Sequence, residues 1–215
     1  MGIVTWPPEG WASQGETLDV HLPWARRRAA VCVAKSMLGM STRDAAYISA
    51  LYPWDKPAVA KQMAMGQHKC GLTAMPVVRM LGDVTVDDGK RYGDRFQRKG
   101  PVPADAMTQL QMLPAWRRGD IIPQPGDIGM VWMPGSPKLT HAFTCIEHGD
   151  DELTSVDGHY GVTKVSTCTY QIVRMADQVW LVGKGLRRRI LGIVSVGDLA
   201  CSREWLLPVG VAAAV

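Results

Sequence analysis

Apolar positions recur at helical spacing in the first part of the chain and alternate with polar ones in the last part. Between Trp24 and Leu38, the residues Ala30, Val33, Ala34, Met37 and Leu38 fall on one face of a helix. Pro23 suits its first turn, where a missing N–H costs nothing, and Gly39 suits its end. Ser41-Thr42-Arg43-Asp44 has the spacing of a capping box before the run Ala45 to Tyr52, which Pro53 stops. Asp55-Lys56-Pro57 opens a third helix through about Met65, with Gly66 as its break, and a further short helix is expected from Asp105 within 104–113.

Strand patterns take over further along. Ile128 to Met133, Ala142 to Ile146, Leu153 to Val156, Thr169 to Met175, Val179 to Val182 and Arg189 to Val196 predict about six strands, enough for a curled antiparallel sheet. Helices first and strands later predicts an α+β fold with segregated layers. Residues 1–22, with Trp6-Pro7-Pro8 and Gly10-Trp11, read as an arm on a single domain of residues 23–215. The charged, turn-rich stretch 82–100 reads as a surface excursion able to wall a cleft.

A hydrophobic share of 47% with 20% charged residues is that of an ordinary globular chain with a usable core. The net charge of +4 comes from dispersed residues and two clusters, Arg26-Arg27-Arg28 and Arg187-Arg188-Arg189, read as solvated surface charge. A nucleic-acid partner is not expected, because no long basic stripe is interleaved with aromatics. No apolar run reaches the ~18 residues of a spanning helix. The start, Met1 to Glu9, has no charged segment followed by an apolar one, so the chain is expected to be made in the cytoplasm without a signal peptide.

The five cysteines, Cys32, Cys70, Cys145, Cys168 and Cys201, are odd in number and include no C-x-x-C pair, which argues against a metal knuckle or a disulfide framework. Four of them sit in apolar runs and read as packed side chains. Cys70 differs, because Gln67-His68-Lys69 makes a polar approach to the apolar run behind it. A thiol at a helix mouth beside a protonated histidine ionises below its free pKa of ~8.5. Pro76 requires that helix to kink or to begin nearer Ala74.

Partners for a nucleophilic thiol follow in order. His141 opens a strand after the turn Pro134 to Lys138, and Asp157 ends the next strand after Gly149-Asp150-Asp151. Their 16-position separation suits two short strands joined by a hairpin. Cys70 as nucleophile, His141 as base and Asp157 as orienting carboxylate are the parts of an acyl-transfer site. His159 shares the strand parity of Asp157 and is the rival third member. A metal held by His68, Cys70, His141 and His159 would lack the close ligand spacing of zinc sites, so no metal is expected.

Four pieces of the chain, Gln67 to Ala74, Pro125 to Trp132, Thr140 to Ile146 and Ser155 to Gly158, together resemble the papain-like bacterial cysteine amidases and endopeptidases of the CHAP and NlpC type. The resemblance covers roughly residues 60 to 175. It implies a papain-like fold and cleavage of an amide bond, most simply in peptidoglycan peptide, by Cys70, His141 and Asp157 without a cofactor. His68, Trp132, His159 and Tyr160 are the candidate substrate-binding residues. A wall hydrolase without a signal would reach the periplasm or cell wall through a phage or a secretion system, and an immunity protein is the expected partner if it is an antibacterial effector. Two other readings stay open: a protease or a transglutaminase-like acyltransferase acting on a protein, and a binding module without catalysis.

Overall fold

The computed structural model describes residues 22–43, 70, 73–74, 77–78, 110–111, 113–132, 140–158 and 163–199. Their order is a helix α1 (Pro23–Ser36), then strands β1 (Trp116–Arg118), β2 (Ile128–Trp132), β3 (Thr140–His148), β4 (Glu152–Asp157), β5 (Ser166–Met175), β6 (Gln178–Gly183) and β7 (Leu186–Val194), and a 3₁₀ turn at Val196–Asp198.

Every strand pairing is antiparallel, in the order β1-β7-β2-β3-β4-β5-β6, and a further pairing of β6 with β7 closes β2 to β7 into a six-strand barrel. The expectation of an α+β papain-like fold with helices first is therefore corrected. Among the described residues the protein is mainly β, a closed barrel with one long helix against it. The physical reason is closure: β7 bonds to β2 through Arg189 to Val194 and to β6 through Leu186 to Arg189. Joined in this way, the six strands β2 to β7 leave no free edge at the ends of their sheet. The expected helices over 45–52 and 57–65 lie outside the described residues.

Alternation explains how the barrel fills. On β5, Cys168, Tyr170 and Ile172 are buried while Thr167, Thr169 and Gln171 are exposed, the period of two that sends side chains inward and outward by turns. The inward set from all six strands makes one core, with Val131, Phe143, Cys145, Leu153, Tyr170, Leu181 and Ile190 among its members. A second core lies on the outside of one wall. There Ala30, Val33, Ala34 and Met37 of α1 pack with Ile128, Met130, Ala142, Ile146 and Val156, joined by Ala74, Val77 and Val78. Strand positions facing that core are buried on both sides of the sheet, which is why β2 reads as a nearly unbroken apolar run.

Tight turns set the remaining register. Ala176-Asp177 and Lys184-Gly185, all at positive φ, join β5 to β6 and β6 to β7 by two-residue loops whose twist suits a hairpin. Gly129 lies opposite Phe143, and a Cβ there would run into the Phe143 ring. The absence of a side chain on β2 is what lets the phenyl group occupy the barrel interior.

The Pro125-Gly126-Asp127 segment clasps α1 to the barrel. Asp127 is fully buried and accepts from Arg27 Nε at 3.2 Å, Val196 N at 3.0 Å and Gln124 N at 3.1 Å. Gly126, at φ +96°, sits so close to the Arg27 backbone that no side chain fits. Burial pushes the Asp127 carboxyl up, against the pull of Arg27 and the two backbone N–H groups.

Candidate active site

His141 enters at the second position of β3, and Asp157 is the last residue of β4. The pairing Thr144 with Val156, carried one step further, sets Phe143 opposite Asp157 and makes His141 its diagonal neighbour on the same face. That face is the barrel interior. His141 Nε2 lies 3.1 Å from Asp157 Oδ2, with His141 6% exposed and Asp157 0%. Phe143 stacks beside the imidazole, at 6.4 Å between ring centroids.

Asp157 Oδ2 has further polar neighbours. The Tyr170 hydroxyl donates to it at 3.2 Å, and the Ser155 hydroxyl lies 3.4 Å away while also reaching the Cys168 carbonyl oxygen at 3.2 Å. Behind Tyr170 stands Arg188, whose Nη1 donates to the Tyr170 hydroxyl at 2.5 Å. The Arg188 guanidinium carbon is also 5.5 Å from the centre of the Tyr170 ring.

Cys70 comes from the opposite side of the wall. Its backbone is helical, as at Thr73, Ala74, Val77 and Val78, and the Thr73 hydroxyl donates to its carbonyl at 2.9 Å. Helical backbone at Cys70 itself rules out the later start near Ala74, one of the two alternatives that Pro76 left open. Ala74, Val77 and Val78, four to eight positions on, are buried in the outer core with Met130, Ala142 and Val156. This packing anchors the segment on the strands that carry His141 and Asp157. The half-buried Cys70 thiol hydrogen-bonds the His141 side chain.

The proton positions follow from donor chemistry. An ionised carboxylate only accepts, so His141 Nε2 must carry its proton toward Asp157, which leaves Nδ1 as the nitrogen for the thiol. Burial alone would push the imidazole pKa down. The hydrogen bonds and negative charges of Asp157 and Cys70 outweigh it and raise the value from 6.5 to about 9. His141 is thus held as a cation between two anion-forming groups.

Of the three residues expected to act together, His141 and Asp157 are hydrogen-bonded, and Cys70 interacts with His141 closely enough to raise the imidazole pKa. Trp132, the last residue of β2, is half-buried on the face opposite Val131 and His141, the side of the wall where Ala74 and Val77 pack. His68, His159 and Tyr160 lie outside the described residues. Cys145 and Cys168 are buried in the barrel interior, as expected of packed thiols, and burial pushes the Cys145 thiol up to about 12. Cys32 is half-buried on α1, and Cys201 is outside the described residues.

Sequence reasoning missed Tyr170 and Arg188. The reading of Arg187-Arg188-Arg189 as solvated charge is corrected at its centre, because Arg188 is 7% exposed inside the barrel while Arg187 is exposed outside it. Strand alternation through Arg188 and Ile190 was the available signal. Among the described residues no group of three or more His, Cys, Asp and Glu side chains is arranged to hold a metal ion, and no helix is long and apolar enough to cross a membrane. No protein-family model matches the chain, and comparisons with curated proteins and with solved structures give no match.

Proposed function

We propose that this protein is a cysteine hydrolase that cleaves an amide bond, with Cys70 as nucleophile, His141 as the proton carrier and Asp157 as its orienting carboxylate. The observation that carries the reading is the buried His141, bonded on one side to Asp157 at 3.1 Å and on the other to the Cys70 thiol. A buried imidazolium is costly unless something uses or compensates it, and here both compensating groups are those that acyl transfer requires.

The chemistry runs in two halves. The Cys70 thiolate attacks the carbonyl carbon, forming a C–S bond as the carbonyl π electrons move to oxygen, where the Cys70 backbone N–H helps to bind the negative charge. Collapse of that intermediate breaks the C–N bond, and His141 Nδ1–H gives its proton to the departing amine. His141 then takes a proton from water as the water attacks the thioester. Expulsion of the thiolate releases the carboxylic acid and restores the pair. Asp157 keeps the imidazole in the one orientation and tautomer that serves both transfers.

As substrate we propose the peptide part of peptidoglycan. This rests on the resemblance of the segments around Cys70, Pro125 to Trp132, His141 and Asp157 to cell-wall amidases, and the mild net charge of +4 suits an anionic wall. The test is digestion of purified sacculi by the wild-type protein and by Cys70→Ala, read as newly released amino groups. Release by the wild type alone is expected. Equal release by both would overturn the hydrolase, whereas an untouched wall together with cleavage of a protein would move the substrate to the protease reading.

A further inference from the structure

We propose that Arg188 and Tyr170 are positioning residues for the Asp157–His141 pair: by donating to the Tyr170 hydroxyl, Arg188 turns that hydroxyl's single proton onto Asp157 Oδ2 and so keeps the carboxylate ionised and aimed at His141. The inference rests on the cysteine-hydrolase reading and adds to it two residues that act through Asp157.

The direction of the chain is dictated by what each group can do. A guanidinium has donors and no acceptor, so the 2.5 Å contact from Arg188 Nη1 takes a lone pair of the Tyr170 oxygen. The hydroxyl has one proton to place, and Asp157 Oδ2 is 3.2 Å away. An ionised carboxylate can only accept, and its next contact is His141 at 3.1 Å. Protons thus point one way from Arg188 to Asp157, and a second time from His141 to Asp157. Burial together with the nearby Asp157 charge pushes Tyr170 ionisation far above the usual range, so the hydroxyl keeps its proton at any working pH.

Burial sets this chain apart from ordinary packing. Arg188 is 7% exposed, Tyr170 1% and Asp157 0%. An apolar side chain would fill a barrel interior at less cost than a guanidinium, which loses its hydration there. Among the described residues, the groups facing Asp157 include His141 from β3, Ser155 from its own strand, and Tyr170 from β5, which brings Arg188 of β7 and the Cys168 thiol beside it. Besides His141, Arg188 is the cation in that set.

The test is the pH profile of Cys70 alkylation by iodoacetamide, followed by mass spectrometry of the Cys70 peptide, in the wild type and in Tyr170→Phe, Arg188→Met and Arg188→Lys. The wild-type thiol is expected to react at a pH of about 6, well below a free thiol. Tyr170→Phe and Arg188→Met should move the profile up by about one unit or more. Without the chain, Asp157 takes a proton more readily, the imidazolium is lost and the thiolate forms only at higher pH. Arg188→Lys keeps a cationic donor and should stay near the wild type. Tyr170→Phe removes one oxygen and keeps the ring packed on Phe143, so it decides the matter if Arg188→Met does not fold. Wild-type profiles in Tyr170→Phe and Arg188→Met would overturn the positioning role alone, as would Arg188→Lys behaving like Arg188→Met. An ordinary thiol profile in the wild type would overturn the hydrolase reading, and the positioning role with it.

Discussion

His141 reaches Asp157 across a β-hairpin, Nε2 to Oδ2 at 3.1 Å, with both side chains turned into the closed barrel rather than toward its outer wall. The bond leaves His141 Nδ1 as the nitrogen for Cys70. Substitutions at the three positions should therefore fall into a graded series.

Cys70→Ala is expected to abolish hydrolysis while leaving the circular dichroism spectrum and melting temperature close to those of the wild type, since a small half-buried thiol contributes little packing. His141→Ala should lose activity as completely, by at least the ~10²–10⁴-fold that positioned proton transfer supplies. Asp157→Asn should lose less, because in the proposed mechanism the carboxylate orients the proton carrier and exchanges no proton itself. Steady-state rates on the cleaved substrate check the order, and a greater loss from His159→Ala than from Asp157→Ala would make His159 the third member.

Activity should fall on the alkaline side as His141 loses its proton. The sign follows from the shift: burial opposes the charged imidazole, yet the bonds and charges of Asp157 and Cys70 raise its pKa from 6.5 to about 9. The protonated form, which in the proposed mechanism supplies the leaving amine with its proton, thus persists above 6.5 and disappears as pH rises through about 9. A rate profile measured from neutral to alkaline pH checks this. An alkaline limb centred near 6.5 would mean that the imidazole lacks those two partners in solution.

Selective labelling should single out one thiol. Cys145, pushed up to about 12 by burial, and the equally enclosed Cys168 should resist alkylation in the folded protein at mild pH, and both should react once urea unfolds it. Peptide mapping after brief treatment should find the label on Cys70. Labelling of Cys145 at the same rate would mean that the barrel opens to reagent.

The Arg27–Asp127 clasp should matter for stability and not for chemistry. Asp127→Ala removes the acceptor of Arg27, Val196 N and Gln124 N together, and is expected to destabilise the fold by about 3 kcal/mol. The midpoint of urea unfolding measures the loss. Activity per folded molecule should survive, because Asp127 serves the docking of α1 and lies outside the His141 bond network.

Interior packing offers a fifth check. Gly129→Ala should destabilise by about 1–3 kcal/mol, since the added methyl meets the Phe143 ring. Combining it with Phe143→Leu should recover part of the loss, and simple additivity of the two changes would show that they do not touch.

Local pattern determined the secondary structure that it could reach. Pro23 and the spacing of Ala30, Val33, Ala34 and Met37 mark α1, and short apolar runs or alternating patterns mark the six barrel strands, because such patterns depend only on near neighbours in the chain. The order of Cys70, His141 and Asp157 also pointed to the chemistry proposed above, since a hairpin of ordinary length suffices to join the last two. Local pattern could not decide closure. Whether β7 returns to β2 or ends an open sheet depends on bonds between Ile128–Trp132 and Arg189–Val194, more than fifty positions away. The α+β expectation failed at that step. Closure also creates an interior, and with it the sense of the central arginine in Arg187-Arg188-Arg189: alternation sends it to the face opposite its neighbours, but only a closed barrel makes that face buried. Tyr170 and Arg188 join the Asp157 network for the same reason, through tertiary pairing that no single segment specifies.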